Sequence, residues 1–427
     1  MRSLAFTAVL FASAAHAQIA DYPDDAVANI PVNYTEAKAG TYTLPDPLVL
    51  ANGKPVRDSR TWTEKRRAEV LKLVEDNQYG RTPGRPPKMT FDVFDKGTPA
   101  LDGKAIRRQV TIYFDGDKNG PKMDLLLYLP PNTQKRVPVL LNVGFSANSL
   151  TVSDPGVKPG EVWNAREKKK GPAAGRGLGR LNPEPFLGEG IGVATFYYGD
   201  VEPDFIGGLP LGIRAHYLKP GKTEPDPDEW GAISAWAWGI SRAVDYLETD
   251  KNVDAKKVAI TGVSRLGKTV LWAGAHDPRI AMVIASCSGE GGAAIARRNY
   301  GETLAHMVAP TRFPYQFAAN YARYADKVDQ FPIDAHMIIS LMAPRPLLLQ
   351  TGNTDKWSDP KGEYVAALAA APVYKLFGKT TPVSPEVPKA GEPVMTTLGY
   401  LMHNGGHGTV PPDWDVYLQF MKLHLGN

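Results

Sequence analysis

One serine lies where a predicted strand changes into a predicted helix. The segment AITGVSRLGKTV (259–270) has a β-branched run and a glycine before Ser264, and Arg265, Gly267 and Lys268 after it. Such a turn lifts a serine hydroxyl above the carboxyl edge of a sheet and directs the next N–H into the same space. The hydroxyl is a poor nucleophile and needs a base. Because the second glycine follows the serine by three residues instead of two, this segment alone is equally consistent with a helix-capping serine.

The base of a serine esterase with this turn is a histidine near the end of the chain, since the triad runs in the order serine, acid, histidine. His407 lies in HNGGHGTVPPDW, after the last predicted strand and before the last predicted helix, where glycines permit close approach to the site. His403 is the competing candidate, but it lies nearer the strand. We interpret His276 and His336 as structural, because they lie on or beside helical segments.

Two acidic residues are candidates for the third member of a triad. Asp355 follows the predicted strand PRPLLLQTG (344–352), so its carboxylate can reach the far nitrogen of the histidine, fix its tautomer and stabilise the imidazolium. Glu290 follows the preceding predicted strand, in SCSGEGGAA, and Asp359 is a weaker third candidate. The residues alone leave the choice open.

Alternating apolar strands and helices would position these side chains. Apolar runs predict strands at 137–143, 192–198, 257–262, 280–286, 344–352 and 394–401, and helices are predicted at 61–80, at 230–248, directly after Ser264, at 361–377 and at 412–425. Two earlier strands, KAIRRQVTIYF and KMDLLLYLP, form a predicted hairpin across the turn at 115–121. Short buried strands that alternate with helices imply a mainly parallel sheet covered on both faces.

The fold class predicted is therefore α/β, of the α/β-hydrolase type. An N-terminal antiparallel hairpin precedes a mainly parallel central sheet that is flanked by helices. The segment 146–190 has no predicted element, and we interpret it as a long loop insertion after the third strand. Loops of this length in compact domains are usually functional or disordered.

The first residues have the pattern of a secretory signal peptide. MRSLAFTAVLFASAAHAQ has one positive charge, an apolar stretch and an A-x-A cleavage pattern. We expect 1–17 to be removed and the protein to be exported to the periplasm or the medium. The rest, 18–427, is predicted to be one catalytic domain whose first part, 18–50, is an extended arm. No later apolar segment is long enough for a membrane anchor.

Charge and cysteine content exclude several classes of partner. The formal net charge is only +4, and the basic segment 164–180 has no cluster of aromatic side chains for base stacking, so no nucleic-acid partner is expected. The single cysteine, Cys287, permits no intrachain disulfide. Because the histidines are scattered, we expect no metal and no other cofactor. We also expect a monomer.

Several motifs together give the sequence a family resemblance. The segments GVSRLGK, SGEGGAA, NYGE, MAPRPLLLQTGNTDKW and NGGHGTVPPDW resemble those of bacterial glucuronoyl esterases, carbohydrate esterase family 15, and the similarity extends from about residue 55 to the C-terminus. The Ser-Arg-x-Gly-Lys turn is the specific part, since ordinary lipases and esterases do not carry it. The resemblance implies a serine esterase that cleaves the ester between (4-O-methyl-)glucuronic acid of glucuronoxylan and lignin alcohols during lignocellulose degradation.

The resemblance also implies a role for each site residue. Ser264 corresponds to the nucleophile and His407 to the base, and Arg265 corresponds to a residue whose backbone and guanidinium face the oxyanion. Three further residues match positions that contact the sugar: Lys268, Glu302 and Trp357.

The triad acid departs from the pattern of many family members. They place a glutamate 23 residues after the serine, where this chain has Cys287, which cannot serve as a carboxylate. Other bacterial members resemble this chain in using an acid after the seventh strand, here Asp355. The resemblance thus favours Asp355, while Glu290 either assists or orders its glycine-rich loop.

Two other functions are consistent with the sequence. An acetyl xylan esterase, or another carbohydrate esterase, would use the same triad, although the positive charges of Arg265 and Lys268 favour a uronoyl group over an acetyl group. The second alternative is an inactive hydrolase-fold protein that binds carbohydrate. The intact set of Ser264, Asp355 and His407 argues against it.

Overall fold

The computed structural model describes residues 19–175 and 177–426. The predicted signal peptide at 1–17 lies outside these residues. Within the described ranges, no helix combines the length and the apolar character that crossing a membrane requires.

The strands and helices follow the predicted alternation. The strands are β1 (Asp25–Val27), β2 (Ile30–Val32), β3 (Thr90–Ala100), β4 (Ala105–Tyr113), β5 (Lys122–Leu129), β6 (Val137–Gly144), β7 (Glu161–Asn164), β8 (Lys169–Pro172), β9 (Gly192–Tyr197), β10 (Val253–Val263), β11 (Met282–Ser286), β12 (Leu347–Gly352) and β13 (Leu398–His403). The helices are α1 (Ser59–Thr61), α2 (Arg67–Val74), α3 (Asn148–Thr151), α4 (Glu184–Gly188), α5 (Ala232–Leu247), α6 (Arg265–His276), α7 (Leu304–Val308), α8 (Ala335–Ser340), α9 (Pro360–Leu376) and α10 (Pro411–Leu425). The π-helical turn Trp62–Arg66 joins α1 to α2, and a second one, Glu75–Tyr79, follows α2, so that together they form the helical segment predicted at 61–80.

The large sheet has the strand order β13-β12-β11-β10-β6-β9-β5-β4-β3. Neighbouring strands from β13 to β9 run parallel, whereas β5, β4 and β3 pair antiparallel at one edge. Every residue of β6, β9, β11, β12 and β13 is buried, as expected for strands that are covered on both faces. This sheet, with its antiparallel hairpin β4–β5, confirms the predicted α/β-hydrolase fold.

Parallel strands end at the same edge of a sheet, and this brings the candidate residues together. The turn after β10 carries Ser264, and the loops after β12 and β13 carry Asp355 and His407. Binding sites of open α/β sheets lie at this carboxyl edge.

Two parts of the sheet region differ from the prediction. Strand β3 was not expected, because its pairing with β4 shifts register at Val93–Asp95 and at Asp95–Thr98, and these irregularities break the alternation of apolar and polar residues. With β3 counted, the insertion follows the fourth strand of the large sheet. The interpretation of 146–190 as a segment without elements was wrong, since it contains α3, the hairpin β7–β8 and α4.

The N-terminal arm supports the carboxyl edge. It contains the hairpin β1–β2, whose two turn residues, Ala28 and Asn29, have positive φ angles, as in hairpin turns. The Asn33 amide donates to Asn299 O at 2.6 Å, and Gly301 N donates to Asn33 O at 2.8 Å. The arm thus fastens the loop that leads into α7.

Candidate active site

The turn after β10 holds Ser264 in an uncommon backbone conformation. Its φ and ψ angles are 61° and −128°, and its N–H donates to Ser286 O at 2.9 Å. A non-glycine residue with positive φ costs on the order of 1–3 kcal/mol, and such residues cluster at functional sites. A Cβ at Gly262 would lie 2.6 Å from Leu266 O, and one at Gly267 would collide with Ser286 O. Close packing of the turn thus requires both glycines, which gives the wide spacing after the serine a physical reason.

The first residue after the turn presents a backbone donor. Arg265 begins α6, so its N–H has no acceptor within the helix. The N-terminus of a helix also carries partial positive charge. Both the Arg265 N–H and this partial charge would stabilise an oxyanion beside Ser264.

His407 and Asp355 form a hydrogen-bonded pair. His407 Nδ1 lies 2.7 Å from Asp355 Oδ2, and Ser358 Oγ lies 3.3 Å from the same nitrogen. The Asp355 side chain is only 4% exposed, while that of His407 is 43% exposed. Burial acts to raise the pKa of Asp355, but the hydrogen bond and charge of His407 lower it overall. The carboxylate therefore stays ionised and fixes the imidazole.

A cavity of about 260 Å³ at the carboxyl edge brings most of the predicted residues together. The predicted site residues that line it are Ser264, Arg265, Lys268, Glu302, Asp355, Trp357 and His407. Glu290 does not line this cavity.

Glu290 lies behind the cavity in a closed environment. Its side chain is buried and accepts a hydrogen bond from Tyr321 Oη at 2.8 Å. Burial raises the pKa of Glu290 to about 8, against the opposing effect of Tyr321. The residue is therefore a neutral carboxylic acid at neutral pH, which does not suit a partner of the histidine.

A charge network that no sequence pattern predicts holds the Arg265 side chain. Its guanidinium forms an ion pair with Asp204 and lies 4.9 Å from the centre of the Phe313 ring. Asp204 also accepts from Tyr198 Oη and Tyr315 Oη, each at 2.7 Å. Burial acts to lower the pKa of Arg265, but Asp204 raises it overall, so the guanidinium remains charged. The only sequence signal for Asp204 is its place shortly after the predicted strand 192–198.

The predicted sugar-binding residues form a second network. Lys268 Nζ lies 3.8 Å from Glu302 Oε2, and Arg312 donates to Glu302 Oε1 at 3.1 Å. The Arg312 guanidinium lies 5.3 Å from the centre of the Trp357 ring. Burial lowers the pKa of Lys268, and Glu302 opposes this shift. Among the described residues, Lys268 Nζ has no hydrogen-bond acceptor, so its donors are free for a ligand. Arg312 also lines the cavity, although no motif in the sequence predicts it as a site residue.

His403 forms a pair of the same kind but does not line the cavity. Its Nδ1 lies 2.7 Å from Asp413 Oδ2, and its Nε2 lies 3.0 Å from Gly406 O. Its side chain is only 5% exposed. Both ring nitrogens are occupied, so His403 has no nitrogen left to serve as a base.

Cys287 packs against the His407 loop. Gly408 N donates to its Sγ at 3.3 Å. Cys287, Asp355 and His407 offer ligand atoms within 4.8 Å of one another, the arrangement a metal ion would need. Burial raises the pKa of the thiol well above its usual value, however, and a protonated thiol is a poor metal ligand.

Comparison with known proteins gives one consistent result. Residues 225–378 match the family model described as glucuronyl esterase of fungi. The chain is 44% identical, over 92% of both sequences, to a carbohydrate esterase from an unknown prokaryotic organism. The solved glucuronoyl esterase from Solibacter usitatus is 47% identical, with a TM-score of 0.87 over 92% of this chain and 100% of that one. A promiscuous esterase of carbohydrate esterase family 15 from a marine bacterial metagenome is 42% identical, with a TM-score of 0.83 over the same shares.

The fold and the strand-end serine turn define the class of α/β-hydrolase esterases. Within this class, the chain belongs to the glucuronoyl esterases of carbohydrate esterase family 15. It is therefore a carboxylic ester hydrolase.

Proposed function

We propose that this protein hydrolyses esters in which (4-O-methyl-)glucuronic acid of glucuronoxylan is linked to lignin alcohols, with Ser264, His407 and Asp355 as its triad. The observation that carries the proposal is the half-exposed His407. It is bonded to a buried carboxylate and lines the same cavity as a serine on a strained turn.

The first half of the reaction forms an acyl-enzyme. Ser264 Oγ attacks the ester carbonyl carbon while His407 Nε2 accepts the hydroxyl proton. The negative charge moves to the carbonyl oxygen, which the Arg265 N–H and guanidinium stabilise. One such donor contributes about 3 kcal/mol to the transition state. When the carbonyl re-forms, the C–O bond to the alcohol breaks, and the alcohol leaves with the proton from His407.

The second half regenerates the enzyme. Water attacks the glucuronoyl carbonyl and gives a proton to His407, and the bond to Ser264 Oγ breaks as the serine takes that proton back. Free glucuronate leaves. Asp355 remains ionised throughout and holds the imidazole in the required tautomer.

The cavity favours a polar acyl group. Lys268 Nζ and Glu302 can bond sugar hydroxyls, and the Trp357 ring offers an apolar face to a pyranose. A buried ammonium without an acceptor is costly, and a hydroxyl-rich substrate would supply that acceptor. An acetyl group has no hydroxyl that could accept a hydrogen bond from Lys268 Nζ.

A second candidate function is broader carbohydrate-ester hydrolysis, including acetyl xylan. It is favoured by the relative at 42% identity, which is described as a promiscuous esterase. The third possibility, an inactive protein that binds glucuronoxylan, is the outcome to be excluded by assay.

We also propose that the protein acts after export, in the periplasm or outside the cell, as a monomer with residues 1–17 removed and 18–427 as one catalytic domain. The pattern of the first residues supports export. Intact mass of the protein purified from the periplasm and the medium would test the cleavage point, and light scattering would test the oligomeric state.

The deciding experiment compares a benzyl ester of glucuronic acid with a simple acetate ester, using wild type and Ser264→Ala. We expect cleavage of the glucuronate, at a far higher kcat/KM than the acetate, and its loss in the variant. Cleavage of acetate alone would support the second candidate. Binding of glucuronoxylan without turnover of either ester would support the binding protein.

A further inference from the structure

The described residues enclose a second cavity, larger than the first, on the antiparallel side of the sheet. It measures about 390 Å³ and lies between β4 and β5 and the first part of the insertion. Six lining residues matter here: Phe94, Asp124, Asn148, Lys158, Lys170 and Asp200. Its size falls in the range of about 300–1,000 Å³ that is typical of ligand pockets.

Two ion pairs lie in this cavity. Lys158 Nζ lies 2.8 Å from Asp124 Oδ2, and Lys170 Nζ lies 2.6 Å from Asp200 Oδ1. Lys122 and Glu161 also line the cavity, so its lysines and carboxylates are equal in number and leave no excess charge with which to attract an ion. The same ammonium and carboxylate groups retain further donors and acceptors, which hydroxyl groups of a neutral ligand can use.

An exposed aromatic ring indicates that this cavity accepts a ligand. The neighbouring Asn148 is nine-tenths buried and donates from Nδ2 to Asp124 O at 2.8 Å. Its Oδ1 has no hydrogen-bond partner but is closed to solvent, so it is not available to a ligand. Phe94, a large apolar ring, is 45% exposed, with Lys158 Nζ 5.3 Å from its centre.

The second cavity adjoins the active site through one segment of chain. Tyr197 lines the second cavity, and the next residue, Tyr198, donates to Asp204, which pairs with Arg265. On the same side, Trp163 of β7 donates from Nε1 to Gly199 O at 2.6 Å and packs edge-on against Phe205. A polysaccharide that reaches the active site would therefore pass close to the insertion.

We propose that this second cavity is a carbohydrate-binding site that takes a neutral sugar unit, with Phe94 as the platform for the ring and the two ion pairs as partners of its hydroxyls. An aromatic face beside a few fixed polar groups suits a pyranose, which has both apolar faces and a polar rim. The assignment of this unit to a xylosyl residue of the substrate backbone rests on the proposed function. The binding of a neutral sugar is independent of the proposed function.

Calorimetric titration of the full chain with xylohexaose, a neutral oligosaccharide, tests the site. We expect wild type to bind and Phe94→Ala to bind about tenfold more weakly, because a stacked ring contributes about 1.4 kcal/mol. Tyr217→Ala is the matched control, since Tyr217 is also a partly exposed aromatic (38%) but lies outside this cavity. It should bind as wild type does.

A second probe decides the chemical class. An oligogalacturonate of equal length carries a carboxylate on each unit, and the part of its binding that Phe94→Ala removes should be weaker than for xylohexaose. Equal binding of xylohexaose by wild type and Phe94→Ala, no binding of xylohexaose, or tighter Phe94-dependent binding of the acidic probe would each overturn the proposal.

The assay with a benzyl ester of glucuronic acid keeps this result separate from the proposed function. This small ester occupies the active site alone, so Phe94→Ala should hydrolyse it at the wild-type rate. If no variant hydrolyses it but xylohexaose still binds in a Phe94-dependent manner, the proposed function fails and the second site stands.

Discussion

Two histidine–aspartate pairs have histidines that lie four residues apart, at the end of β13 and in the loop after it, and only one of the pairs lines the cavity of Ser264. His407–Asp355 and His403–Asp413 have the same 2.7 Å separation between Nδ1 and the carboxylate. The difference is at the other nitrogen. His403 Nε2 is bonded to Gly406 O inside the core, whereas His407 is half-exposed and lines the cavity of Ser264.

A histidine–carboxylate pair can act as a catalytic pair only where the second ring nitrogen of the histidine can reach the reacting groups. In the buried pair both ring nitrogens of His403 are hydrogen-bonded. The pair joins the end of β13 to the start of α10, where Asp413 also accepts from Val410 N at 2.9 Å. In the exposed pair, His407 Nε2 can accept the proton of the Ser264 hydroxyl. The distance between Nδ1 and the carboxylate alone would not separate the two pairs.

Replacing each histidine gives the largest expected difference. His407→Ala should lower kcat for the benzyl ester of glucuronic acid by about 10⁶-fold, as loss of the base does in serine hydrolases. His403→Gln, assayed at a temperature where circular dichroism shows it folded, should keep kcat near that of wild type. A larger loss in His403→Gln than in His407→Ala would reverse the assignment.

For stability we expect the His403–Asp413 pair to matter more than the His407–Asp355 pair. Asp413→Ala leaves the buried His403 without its partner and should lower the free energy of unfolding by about 3–5 kcal/mol. Asp355→Ala should cost less, because water can reach the half-exposed His407. Urea unfolding of both variants measures the difference, and equal losses would contradict the structural role given to His403–Asp413.

The buried acid behind the site should affect the pH dependence of stability. The pKa of Glu290 is raised by burial from 4.5 to about 8, so between these values the native state binds more protons than the unfolded state. Stability therefore falls as pH rises through this window, by up to about 1.4 kcal/mol per pH unit. Glu290→Gln lacks this proton and should gain stability over wild type as pH rises.

Urea unfolding at several pH values across that window would measure the gain. Glu64→Gln, a change at an exposed ion pair with Arg60, is the control and should run parallel to wild type. If the curve of Glu290→Gln were also parallel, Glu290 would be ionised in the native state.

The sequence predicts the carboxyl edge well because the edge follows from local patterns. Each of Ser264, Asp355 and His407 comes directly after a strand that its apolar run identifies, and parallel strands must end together. The fold class follows from the same alternation.

Other features depend on contacts that no local pattern encodes. Asp204 meets Arg265 across 61 residues, and Arg312 meets Trp357 through a loop without periodicity. Strand β3 is hidden by its register shifts, and the short elements of the insertion are held by contacts such as that of Trp163 with Gly199. These features arise from packing between distant segments.

The most direct test of the account is the kcat/KM of Asp355→Asn beside Glu290→Gln on the benzyl ester of glucuronic acid. Asp355 holds His407 in the required tautomer, so Asp355→Asn should lower kcat/KM by about 10⁴-fold, while Glu290→Gln should keep it near that of wild type. Equal losses, or a larger loss in Glu290→Gln, would contradict the account and move the triad acid to Glu290.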